Sequence, residues 1–126
     1  MALIDMDFAL GGGGGNVTPV IGGYCSSMTG TGVKGYTYYN LENSSLASYS
    51  NSKITINQKG RYRIGFFIRD TGAYSQTLVM GSKSETVTST AYYTFTENLN
   101  VGDEIYLNRT NSSGSTSFSL DVDLLS

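Results

Sequence analysis

Residues 60–70 alternate: Tyr62, Ile64, Phe66 and Ile68 fall on one side of an extended chain, and Arg61, Arg63, Phe67 and Arg69 on the other. Successive side chains of a strand point to opposite faces of a sheet, so this segment predicts a long strand with an apolar face and a cationic face. The same period returns in Phe118, Leu120, Val122 and Leu124, set against Ser117, Ser119, Asp121 and Asp123. Short runs of β-branched and aromatic residues between Gly, Ser and Asn predict further strands near 34–39, 45–49, 53–58, 75–81, 84–88, 91–98 and 103–110, besides 60–70 and 115–125. Turns are expected at Gln58-Lys59-Gly60, Asp70-Thr71-Gly72, Asn100-Val101-Gly102 and Asn111 to Gly114, each with a residue that tolerates positive φ. The pattern is that of an all-β sandwich or barrel.

The first ten residues carry Leu3, Ile4, Met6, Phe8 and Leu10, and an unbroken glycine run, Gly11 to Gly15, follows. Five glycines are costly to freeze and behave as a tether. The expected division is an apolar docking peptide over 1–10, a glycine-rich flexible linker over 11–23 and a head domain over 24–126. The amino-terminal segment begins without Lys or Arg and carries Asp5 and Asp7 inside its apolar stretch. It therefore predicts neither a secretory signal nor a membrane span, which needs about 20 apolar residues.

Gly60-x-Tyr62 followed by alternating apolar positions, the corner Leu99-x-x-Gly102-Asp103-x-Ile105-Tyr106-Leu107, and a closing strand ending in Leu124 and Leu125 together resemble the jelly roll shared by complement globular heads and tumour necrosis factor. The likeness covers residues 53–126. Ile64 stands where that family usually has an aromatic, and Asp121 and Asp123 replace its small and aromatic positions. The resemblance implies an antiparallel jelly-roll β-sandwich, assembled as a homotrimer and used for binding or assembly, with no chemistry of its own.

The 126-residue chain contains no histidine, which removes the commonest general base, the Ser-His-Asp and Cys-His arrangements and imidazole metal ligands. The single cysteine, Cys25, has no disulfide or zinc-site partner. No enzyme activity, cofactor or metal is expected. A formal net charge of -2 with 14% charged residues gives no basic field for nucleic acid. The glycine run lacks the Gly-Lys-Ser/Thr ending of a phosphate loop. Asp121 and Asp123 share a strand face and could hold a cation or form a carboxylate pair, but pairing with Arg61, Arg63 or Arg69 of a neighbouring strand is the stronger expectation.

Tyr36, Tyr38, Tyr39 and Tyr49 sit among Ser, Asn and Gly, a mixture in which tyrosine supplies amphipathic contact area and small polar residues adapt; they are the ligand-binding candidates. The competing expectation is that alternating tyrosines such as Tyr36 and Tyr38 are half-buried sandwich residues. Phe66-Phe67-Ile68 is apolar on both faces, and an exposed Phe67 would invite aggregation unless copies cover it. Tyr62, Phe67, Tyr93 and Tyr106 are assigned to that trimer contact, and Leu3, Ile4, Phe8 and Leu10 to docking on a larger assembly. An anchor, a tether and a trimeric head look like a bacteriophage virion component: a head fibre, a capsid decoration protein or a receptor-binding tip. Its partners would be a capsid or tail protein and a host surface glycan or protein. The alternative is a bacterial carbohydrate-binding or surface-recognition module.

Overall fold

The structure is a computed structural model that describes residues 16–70, 75–88 and 90–125. Among the described residues eleven strands follow in chain order: β1 Val17–Met28, β2 Gly32–Lys34, β3 Tyr38–Leu41, β4 Ala47–Ser50, β5 Lys53–Ile56, β6 Gly60–Asp70, β7 Ser75–Met80, β8 Lys83–Thr88, β9 Ala91–Leu99, β10 Glu104–Arg109 and β11 Thr116–Leu125. They form two antiparallel sheets, one ordered β3-β1-β11-β6-β9 and the other β4-β5-β10-β7-β8, with β2 paired to the end of β10. Among the described residues there is no helix. The chain folds as the jelly-roll sandwich expected of it.

The alternating faces behave as read. Tyr62, Ile64, Phe66 and Ile68 of β6 and Phe118, Leu120 and Val122 of β11 are buried between the sheets, facing Ile54, Ile56, Leu78, Met80, Ile105 and Leu107 of the opposite sheet. Phe66 and Phe118 meet at 5.7 Å between ring centroids. Strand β11 lies at the centre of its sheet, paired along its length with β1 on one side and β6 on the other. The Gly102-Asp103 corner is stitched to the end of β5. Gly102 takes φ 94 and donates to the Ile56 carbonyl, the Asp103 carbonyl accepts from Ile56, and its carboxylate accepts from the Asn100 amide at 2.8 Å.

Part of the segment assigned to a linker is strand. Val17 to Gly23, assigned to a flexible linker, are part of β1, which runs between β3 and β11. Pro19 and the Gly22-Gly23 pair look like loop punctuation but suit this place. Pro19 sits at a register shift, on a stretch that β3 does not reach, so no ladder bond is lost there. At Gly23 a side chain would collide with the Tyr38 carbonyl and stand 2.8 Å from the Tyr36 ring. The predicted strand at 34–39 resolves into β2 and β3, which belong to different sheets. The docking peptide with Leu3, Ile4, Phe8 and Leu10, and the run Gly11 to Gly15, lie outside the described residues.

At one end of the sandwich Arg109 is wholly buried. Its Nε donates to Thr116 Oγ1 at 2.8 Å, Nη1 to the Gly30 carbonyl at 2.9 Å, and Nη2 to the Ser113 and Gly114 carbonyls at 2.8 and 2.9 Å. Beside it, buried Gln76 accepts from the Thr110 and Asn111 amides at 2.7 and 3.1 Å. A buried cation is tolerated when its donors are filled, and here carbonyls from two loops fill them.

Candidate functional site: an aromatic row across one sheet

The register of the five-stranded sheet aligns one residue from each strand. Tyr38 of β3 stands opposite Tyr24 of β1, Tyr24 opposite Ser119 of β11, Ser119 opposite Phe67 of β6, and Phe67 opposite Tyr92 of β9. Tyr24, Ser119 and Phe67 lie on the outer face, because their chain neighbours Cys25, Phe118, Leu120, Phe66 and Ile68 are the buried ones, and Tyr38 and Tyr92 pack on Tyr24 and Phe67 from the same side. Four aromatics thus cross the sheet as two pairs: Tyr24–Tyr38 with centroids 5.4 Å apart and Phe67–Tyr92 at 4.4 Å. Tyr24, Tyr38 and Tyr92 are 50%, 63% and 83% exposed.

Between the pairs the row drops to serine. Tyr24, Ser26, Phe67, Ser117 and Ser119 line a cleft of about 220 Å³. Two residues further along β11 comes Asp121, exposed and flanked by Gly22 on β1 and Gly65 on β6. A side chain at Gly65 would enter open space, and one at Gly22 would come within 2.5 Å of the Asp121 carboxylate. The trough over β11 therefore stays open past the cleft. Partial burial, and then the charge of Asp123, hold the Asp121 carboxyl above its ordinary range. Asp123 pairs with Arg63 at 2.9 Å, as expected of a carboxylate opposite a cationic strand face, whereas Asp121 has glycine on both sides. Among the described residues no group of three or more acidic or thiol side chains could hold a metal ion.

The four tyrosines assigned to ligand binding fall into two separate groups. Tyr38 joins the outer row. Tyr36, Tyr39 and Tyr49 form a separate cluster at the sandwich edge, with centroid separations of 5.7 Å for Tyr36–Tyr39, 5.2 Å for Tyr36–Tyr49 and 4.6 Å for Tyr39–Tyr49. The Tyr36 hydroxyl donates to the Leu120 carbonyl at 2.5 Å, and the Tyr49 hydroxyl accepts from the Tyr36 amide at 2.8 Å. Burial, the Asp121 charge and Tyr49 together push the Tyr36 phenol far above its ordinary value. Tyr36 and Tyr49 work for the fold.

The four residues assigned to a trimer contact likewise do not share a surface. Tyr62 is buried between the sheets, its hydroxyl donating to the Gln58 carbonyl. Tyr93 points inward, stacks on Phe95 at 5.9 Å and exchanges hydrogen bonds with the Thr88 backbone. Tyr106 lies on the outer face of the other sheet, under Lys53 at 4.7 Å. Phe67 alone of the four belongs to the aromatic row. Of the adjacent pair Tyr92 and Tyr93, the outward one is Tyr92; the register that decides this cannot be read from two neighbouring tyrosines.

No protein-family model matches this sequence, and no curated protein sequence matches it. Its fold does recur. The PRD1 vertex protein P5 superposes with a TM-score of 0.60 at 12% identity, covering 89% of this chain and 100% of that one. Two structures of family 29 carbohydrate-binding modules align with TM-scores of 0.44 and 0.42, both at 14% identity, over 88% and 89% of this chain and 91% and 89% of theirs. At such identities the P5 likeness speaks to fold alone.

Sequence reasoning missed Tyr24, Ser117 and Ser119 as site residues. The signal was half present, because the serines alternate with the core positions of β11 and so must lie on its outer face. What the sequence withholds is which aromatics the neighbouring strands bring alongside them.

Proposed function

We propose that this protein is a non-enzymatic structural component of a bacteriophage virion, a head fibre, capsid decoration protein or receptor-binding tip. It docks through residues 1–10 and presents its jelly roll as a binding head. The observation that carries the reading is the aromatic row: Tyr24, Tyr38, Phe67 and Tyr92 crowd one outer sheet face, three of them at least half exposed. Apolar clusters of this kind on a folded surface mark recognition or assembly. The fold shared with a vertex protein of PRD1 supports the same reading. The homotrimer expected from the sequence belongs to it, and light scattering at micromolar concentration checks that part by returning three chain masses or one.

The experiment for the function is incorporation. The full chain should co-purify with particles from the phage that encodes it, and a chain lacking residues 1–10 should fold but stay in the supernatant. Incorporation of the truncated chain, or exclusion of both, overturns the docking claim. The second reading, a carbohydrate-binding surface module, is favoured by the serine-floored cleft between the aromatic pairs; it predicts glycan binding without any particle association.

A further inference from the structure

We propose that the outer face of the β3-β1-β11-β6-β9 sheet is a glycan site, in which a pyranose ring sits in the cleft between Tyr24 and Phe67 with its hydroxyls on Ser117 and Ser119, and Asp121 further along β11 receives those of a neighbouring ring. The inference rests on the recognition role proposed above and names the ligand class of that face.

A pyranose has apolar C–H faces and a rim of hydroxyls, so it needs an aromatic surface beside hydrogen-bonding groups with capacity to spare. The sheet supplies both. Tyr24 and Phe67 line the cleft, each backed by a second ring, Tyr38 and Tyr92. Among the described residues no side-chain hydrogen bond ties up the Ser117 or Ser119 hydroxyl, while Ser26 at the rim is already engaged with Thr37 at 3.2 Å. Asp121 lies about 7 Å along the strand from Ser119, given a rise of about 3.4 Å per residue. With glycine on both sides it can accept hydroxyl hydrogens from above. The cleft of about 220 Å³ is smaller than the roughly 300–1,000 Å³ of sites for drug-sized ligands. It suits one sugar ring, with the open trough over Asp121 for a neighbour.

Other occupants fit less well. The core of a contact between copies is depleted in serine and aspartate, whereas here three serines line the cleft and Asp121 lies just beyond it. An extended peptide adding to a sheet needs a free strand edge, whereas the cleft lies over β11, which is paired on both sides. Nucleic acid is opposed by Asp121 and by the net charge of -2.

The test uses the full chain on an array of bacterial-surface and plant cell-wall oligosaccharides, with hits titrated by calorimetry. Binding is expected, weakened about tenfold or more by Tyr24→Ala and by Phe67→Ala, and abolished by Ser119→Phe, which fills the cleft from a surface position. Tyr106→Ala, on the opposite sheet, should bind as the parent does. Circular dichroism melting controls for folding, and the outward position of these residues leaves the core intact. Absence of glycan binding, or binding undiminished in Ser119→Phe, overturns the proposal. So does a fall in particle mass to a single chain in Tyr24→Ala and Phe67→Ala, which would make the face a contact between copies. Particle incorporation is scored separately on the same variants: intact incorporation without glycan binding removes only the glycan site, and glycan binding without incorporation removes only the virion role.

Discussion

Two groups of tyrosines lie a few residues apart in this chain and do opposite work. Tyr36 and Tyr49 have their hydroxyls committed to backbone groups and their rings stacked at the sandwich edge, with Phe118 beneath Tyr36 at 6.3 Å. Tyr24 and Tyr38 pair with each other on the outside and are at least half exposed. Composition cannot separate these roles. What separates them is whether the phenol is spent on a backbone group, because an inward tyrosine must satisfy its hydroxyl within the protein and an outward one can offer it to a partner.

The contrast can be broken at several strengths. The largest effect is expected where the interior group is anchored: Phe118→Ala should cost about 3–5 kcal/mol, through the lost burial and the cavity left against Phe66 and Tyr36. Denaturant unfolding measures it, and an unchanged midpoint would mean that the parity of β11 is wrong. Tyr36→Phe removes one hydroxyl and leaves the Leu120 carbonyl without that donor; about 1–3 kcal/mol is the expected loss. By contrast, Tyr24→Ala and Tyr92→Ala should stay within about 0.5 kcal/mol of the parent, as surface changes do. A loss from Tyr92→Ala as large as that from Tyr36→Phe would erase the distinction between the groups.

Asp121 gives the smallest and most diagnostic effect. Its carboxyl is raised in the folded protein, so the folded state holds its proton more tightly than the unfolded chain does, and stability contributed here falls as pH rises through and above the ordinary carboxylate range. Asp121→Asn should therefore melt slightly higher than the parent at neutral pH, and the two should converge in acid where the aspartate is protonated. A gain that persists unchanged at low pH would argue against the charge as its cause. Together with weaker glycan binding in the same variant, the gain would mark Asp121 as a residue that serves recognition at some cost to stability.

The strands and the inner faces were legible because alternation is a local signal: β6 carries it from Arg61 to Arg69 and β11 from Ser117 to Leu124, and the buried set follows directly. Strand β1 was not legible, since Pro19 and Gly22-Gly23 are read as linker until a bulge and a close approach to β3 explain them. The site was legible only in pieces. Phe67 stood out as an apolar residue on a cationic face, Tyr38 as part of a tyrosine-rich stretch, and Ser117 and Ser119 as outward positions. The row they make depends on β1, β6 and β9 being in register around β11, and no residue in the sequence announces a register between strands so far apart. The trimer assignment combined different faces: Tyr62 and Tyr93 turn inward, opposite to Phe67 in the same sheet, while Tyr106 lies on the outer face of the other sheet.

The central position of β11 has a consequence for how the molecule is made. Of the eleven strands it is synthesised last, yet β1 and β6 both pair with it and with no strand in its place. Until it emerges the two halves of that sheet have no common partner, and β1 waits with an open flank for a segment roughly a hundred residues away. Pairings this distant in sequence are slow to form and leave unpaired strand edges exposed meanwhile. Arg61, Arg63 and Arg69, exposed on the outer face of β6, then put charge beside that open flank and keep the waiting strand from pairing with those of a neighbour.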